Sequence, residues 1–81
     1  MDLKLAIDII GWIGSAEVIL AYALISAKKV NSSSTFYQWL NLTGAIFLIV
    51  NTWYYGAFPS TAINLVWVLI AIVALYKAYI K

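Results

Sequence analysis

Phe58-Pro59-Ser60-Thr61-Ala62-Ile63-Asn64 is the stretch whose reading decides the fold, because an apolar run follows it to Ile80. Pro59 suits the first turn of a helix, where its missing N–H leaves no bond unmade. Asn64 then falls inside a segment long and apolar enough to cross a bilayer. Gly56-Ala57-Phe58 is a tight connection, and residues 5–26 and 36–55 upstream read as two further spans. The expected fold class is an all-α membrane protein, a three-transmembrane-helix bundle in one domain over residues 1–81 with spans at 5–26, 36–55 and 59–80.

Composition agrees with that class. Of the 81 residues 65% are hydrophobic and 10% charged, far too little polar surface for a small soluble domain. Cysteine and histidine are absent, which removes disulfides, zinc sites and thiol or imidazole catalysis together. With no phosphate loop and no nucleophile–base set, no enzyme, metal or cofactor is expected. The net charge of +2 comes from lysines at span ends, an orientation signal rather than a nucleic-acid patch. Lys28, Lys29, Lys77 and Lys81 share one side and Lys4 stands on the other beside Asp2. The expected topology has the N-terminus outside and the C-terminus cytoplasmic, in the plasma (inner) membrane. Ala21-Tyr22-Ala23 has the form of a signal-cleavage site, but Asp8 and Glu17 spoil the apolar region before it, so residues 5–26 are kept as a span.

Polar groups in hydrocarbon must be paired, and each one asks for a reason. Asp8 lies about one turn inside the outer end of the first span, and Glu17 lies near mid-membrane, about 18 Å from Leu5 by helical rise. The two sit about 180° apart on a helix, so they are expected to face different partners. Each is read either as a proton site or as an interface residue. Gly11, Gly14 and Ser15 are small enough to let another helix approach closely. Thr35-Phe36-Tyr37-Gln38 has the form of a capping box.

In the second span Tyr37, Asn41, Gly44, Leu48, Asn51 and Tyr55 recur at alternating steps of four and three, which is one helical face. That face is either a packing seam or the wall of a pathway, and both readings hold together. Helical rise predicts an outer layer of Asp8, Trp12, Asn51 and Asn64 and an inner layer of Tyr22 and Asn41, with Glu17 between. Amides flanked by aromatic rings suit a small polar solute. Trp53 and Tyr54 read as an interfacial aromatic belt.

Tyr55-Gly56 followed by Pro59 and then Asn64 resembles the SemiSWEET and PQ-loop transporter superfamily. In SemiSWEETs a Tyr-Gly ends the second span, a proline opens the third, and an asparagine follows five residues later. Ser32-Ser33-Ser34 and Gly11-Trp12-Ile13-Gly14 fit the same pattern. The Pro-Gln pair is replaced by Ile19-Leu20-Ala21-Tyr22, and Thr52 stands where the family has its pocket tryptophan. Residues 37–44 are most similar to small three-span bacterial relatives of that family. The resemblance implies a parallel homodimer, first and third helices side by side, and Asn64 as a solute contact.

The expected function is transport of a small polar solute, a sugar or similar, along the axis of a homodimer. The candidate solute-binding residues are Asn64, Asn51, Trp12, Thr52, Asn41 and Tyr22. The expected partners are a second copy, the lipid bilayer and the solute. The alternative is a structural or accessory subunit of a larger membrane complex, docked through the glycine face of the first span. A holin-like pore former is a weaker third reading.

Overall fold

The computed structural model describes residues 2–80. Three helices follow one another: α1 (Leu3–Ser26), α2 (Thr35–Tyr54) and α3 (Phe58–Tyr79). They form an elongated bundle measuring 42 × 22 × 22 Å. Lys81, one of the lysines in the orientation argument, lies outside the described residues.

Two of the helices, α1 and α3, are long and apolar enough to cross a membrane. The third is not, so the expected three-transmembrane-helix bundle is corrected to a three-helix bundle with two candidate spans. The reason lies in the side chains of α2. Its 20 residues include Gln38, Asn41, Thr43, Asn51 and Thr52, which dilute the apolar run.

The packing order also differs from the expected one. The first and third helices do not lie side by side; each packs on α2 and not on the other. Short connections favour neighbours in sequence becoming neighbours in space, and each seam has its own chemistry. Gly11, Gly14 and Gly44 bring α1 onto α2. A Cβ on Gly14 would stand 2.8 Å from the Gly44 carbonyl oxygen, and one on Gly44 would stand 3.0 Å from the Gly14 carbonyl oxygen. The backbones therefore touch where the small residues meet. On the other side, α3 offers Thr61, Ala71 and Leu75 to α2.

The helix ends are settled by local bonds. Asp2 caps α1 by accepting from the Leu5 N–H at 2.7 Å. The capping box expected at Thr35 does not form. Ser34 is the N-cap and its side chain caps nothing, while the Gln38 amide turns back to donate to the Ser32 carbonyl at 2.7 Å. The Asn31 side chain orders the loop instead, accepting from the Ser33 N–H and hydroxyl.

Both α1 and α2 end in the same motif. The N–H of Lys29 bonds the Leu24 carbonyl and that of Lys28 bonds Ile25, while Ala57 bonds Thr52 and Gly56 bonds Trp53. These are the paired bonds of a Schellman ending, which needs a left-handed residue after the cap. Gly56 fills that position at φ 72°, and Lys28 fills it at φ 59°. A glycine takes this conformation freely and a lysine pays for its Cβ, by roughly 1 kcal/mol. Gly56→Ala should therefore destabilise the fold and Lys28→Gly stabilise it, each by roughly 1 kcal/mol. Unfolding titrations in mixed micelles read both, and effects of the same sign would refute the assignment.

Very little of the apolar content is covered within one chain. Among the described residues the buried apolar side chains are Ile7, Ala21, Ala45, Ala71 and Leu75. Trp12 is 78% exposed and Tyr22 72%.

Candidate functional site

Asp8, Trp12, Ser15, Ile19 and Tyr22 recur along α1 at steps of four and three and so share one face. On α2 the residues Tyr37, Asn41 and Asn51, with Tyr55 at the cap that ends the helix, share another. The two faces adjoin. At the end of the bundle where α1 begins, Asp8, Gly11, Trp12, Ser15, Asn51 and Tyr55 line a cavity of about 290 Å³. Toward the other end, Val18, Ile19, Tyr22, Tyr37, Asn41 and Trp67 line one of about 310 Å³. Both open on the same side of the bundle, since both take their walls from the same two faces.

The first cavity is held by three bonds between or within its walls. The Asn51 amide donates across the seam to the Ile7 carbonyl at 3.0 Å, which leaves its amide oxygen as an acceptor. The Tyr55 hydroxyl donates to one Asp8 oxygen. The Lys4 ammonium lies 3.1 Å from the other. That carboxylate holds the Tyr55 phenol above its ordinary pKa, because it accepts from the protonated form and repels the phenolate.

The second cavity is tied through Asn41, which is 6% exposed. Its amide donates to the Tyr37 carbonyl at 3.1 Å, and its oxygen accepts from the Trp67 indole N–H at 3.1 Å. Trp67 was not among the candidate residues. Its position in the middle of α3, away from either end, is the signal that marks it, because a mid-helix tryptophan needs an acceptor for its N–H.

Asp8, Trp12 and Asn51 come together in the first cavity, and Tyr22 and Asn41 in the second. Asn64 lies elsewhere. It stands three residues after the buried Thr61, on the side of α3 that meets α2, and its amide donates back to the Ser60 carbonyl at 2.9 Å. It lines neither cavity. The Thr52 hydroxyl meets that of Thr61 at 2.7 Å within the α2–α3 seam. Trp53 packs edge-on against Phe58, and Tyr54 against Tyr55.

Asp8 and Glu17 do not reach different helices. Asp8 bonds Tyr55, and Glu17 accepts from the Thr43 hydroxyl at 2.7 Å, so both reach the α2 segment. Each lies about 90° from the glycine seam, on opposite flanks, and α2 is broad enough to be met from both. The other Glu17 oxygen, Oε1, is buried without a partner among the described residues.

The cationic side chains also sort by end. Lys77 shares a small cavity with Ser32 and Ser33, which places the last turn of α3 beside the lysine-bearing loop after α1. Lys4 stands at the opposite end.

The fold and site together define an all-helical protein with two candidate membrane helices and a polar, aromatic-flanked flank on one side. A protein-family model whose description names no activity matches residues 7–81, and the chain belongs to that family. No curated protein matches the chain significantly, and no solved structure does.

Proposed function

We propose that the chain is a small membrane transporter of SemiSWEET-like type, which moves a small polar solute along the shared face of α1 and α2 with a second copy closing that face. The observation that carries this reading is the alignment of the two cavities on one side of the bundle. A lone chain in a bilayer would present Asp8 and Ser15 to lipid there, an arrangement that hydrocarbon penalises. Facing a second copy, the same groups line a polar path with aromatic walls. The link to SemiSWEETs rests on the Tyr-Gly, proline and asparagine spacing, since the helix order here is its own.

Lipid accounts for the remaining surface. The exposed Ile63, Leu69 and Val73 of α3 suit acyl chains, which solvate apolar side chains without a protein partner. The protein is then a multi-pass component of the plasma membrane. Its Lys28, Lys29 and Lys77 end faces the cytoplasm and the Lys4 end faces outward. The accessory-subunit reading has less support, because α2 of the same chain covers the glycine face that would dock a foreign helix.

The chain has no native cysteine, so single-cysteine crosslinking is clean. Ile19→Cys, on the shared face, should give a disulfide-linked pair in vesicles, whereas Leu69→Cys, on the outer face of α3, should not. Vesicles carrying the protein should admit small polar solutes, and the Ile19 link should close them. Absence of the pair together with absence of uptake would overturn the proposal.

A further inference from the structure

We infer that the cavity between Asp8, Trp12 and Asn51 is a site for a small organic ammonium ion, and that Lys4 is its built-in competitor. The inference rests on the transport reading only for its physiological use; the binding itself does not require transport.

The walls present acceptors and rings. Asp8 carries a carboxylate, and the bond from one of the two Asn51 amide N–H groups to the Ile7 carbonyl fixes that side chain with its oxygen able to accept. The Ser15 hydroxyl adds a further acceptor, and the Trp12 ring lies open at 78% exposure. A carboxylate, two neutral acceptors and aromatic faces are what an N–H-rich cation needs, because ring faces attract cations and charge-assisted bonds are the strong ones. A neutral polyol would use the acceptors, the carboxylate among them, but would lack the ion pairing with Asp8 and the cation attraction of the ring faces.

The protein already shows where such a cation sits. The Lys4 ammonium is 3.1 Å from Asp8 Oδ2 and 6.0 Å from the centre of the Tyr55 ring. Its hold is weak. The lysine side chain is 67% exposed, and it precedes the acid by four residues, the less favourable order on a helix. Tyr55 holds the other Asp8 oxygen, so the carboxylate stays aimed when Lys4 swings away. A ligand ammonium entering from that end takes the place of the lysine on the same oxygen.

The test uses the full chain in lipid nanodiscs, with ethanolamine as the probe and ethylene glycol as its uncharged counterpart. The indole N–H signal of Trp12, assigned by its loss in W12F, reports binding. Ethanolamine should shift that signal and bind about tenfold more tightly than ethylene glycol, the share of one charged hydrogen bond. Asp8→Asn should remove the difference. Lys4→Gln should tighten ethanolamine binding roughly threefold, the share of an exposed ion pair. Misfolding cannot produce a tighter site, so the lysine variant keeps the test decisive even where Asp8→Asn perturbs the helix. Equal binding of the two probes, or a Lys4→Gln variant that binds ethanolamine no better, overturns the inference. The transport reading fails separately, if ethanolamine binds as described and the Ile19→Cys pair and uptake are both absent.

Discussion

Replacing Gly14 by valine should separate α1 from α2 and lower stability by about 1–3 kcal/mol. The first atom of any side chain there would stand 2.8 Å from both the Gly44 carbonyl oxygen and the Phe47 Cβ. A carbonyl in a helix cannot swing aside as the end of a flexible side chain can. The whole of α1 must therefore move outward, and the Asn51–Ile7 bond and the Tyr55–Asp8 contact stretch with it. Valine is a better helix former than glycine by a few tenths of a kcal/mol, too little to offset the clash. Unfolding of the purified protein by titrated SDS in mixed micelles measures the loss. Gly14→Val with unchanged stability would show that the glycine contact does not set the spacing of the helices.

The second large effect is expected at Asn41. Asn41→Leu takes the acceptor from the indole N–H of Trp67, a residue 45% exposed on the surface of the bundle, and a polar group left unpaired in an apolar setting costs about 1–3 kcal/mol. Measured interhelical bonds in membrane proteins average only about 0.6 kcal/mol, because the separated helices find other partners. Asn41 is buried but Trp67 is 45% exposed, which places the loss toward the lower part of the range, about 1 kcal/mol. A double-mutant cycle with Trp67→Phe isolates the pair, since removing both partners together should cost less than the sum of the single changes. Additive losses would mean that the two side chains do not bond. The emission of Trp67 should also shift to the blue in Asn41→Leu as the indole loses its polar partner.

These residues mark how far the sequence could be read. Gly11 and Gly14 were legible as places for close approach because smallness acts through sterics alone. The stripe from Tyr37 to Tyr55 was legible because a helical period fixes which residues share a face. Which neighbour meets a face is a different matter, and there the reading failed. The side-by-side placement of α1 and α3 came from a resemblance, whereas the seams that form depend on glycine contacts and on the Thr52–Thr61 and Asn41–Trp67 pairs, each spanning two segments. Glu17 was placed opposite Asp8 by angle, correctly, but side-chain reach let both arrive at α2. The second span was misjudged because its amides and hydroxyls were weighed as pathway residues and not subtracted from the apolar length.

The placement of α2 between helices whose backbones stay apart has a consequence for heredity as well as mechanics. Each of its two sides answers to one neighbour. A change at the glycines alters how α1 rides on α2 and a change at Thr61 alters how α3 does, while the cavity that Val18, Ile19, Tyr22 and Trp67 line is where the two joints meet. The chain is thus two two-helix units that share a member and meet at one cavity, and away from that cavity natural variation can retune one joint without a compensating change in the other. Neither joint is looser than the other: Asn51–Ile7, Tyr55–Asp8 and Thr43–Glu17 fasten α1, and Thr52–Thr61, Asn41–Trp67 and Trp39–Tyr79 fasten α3.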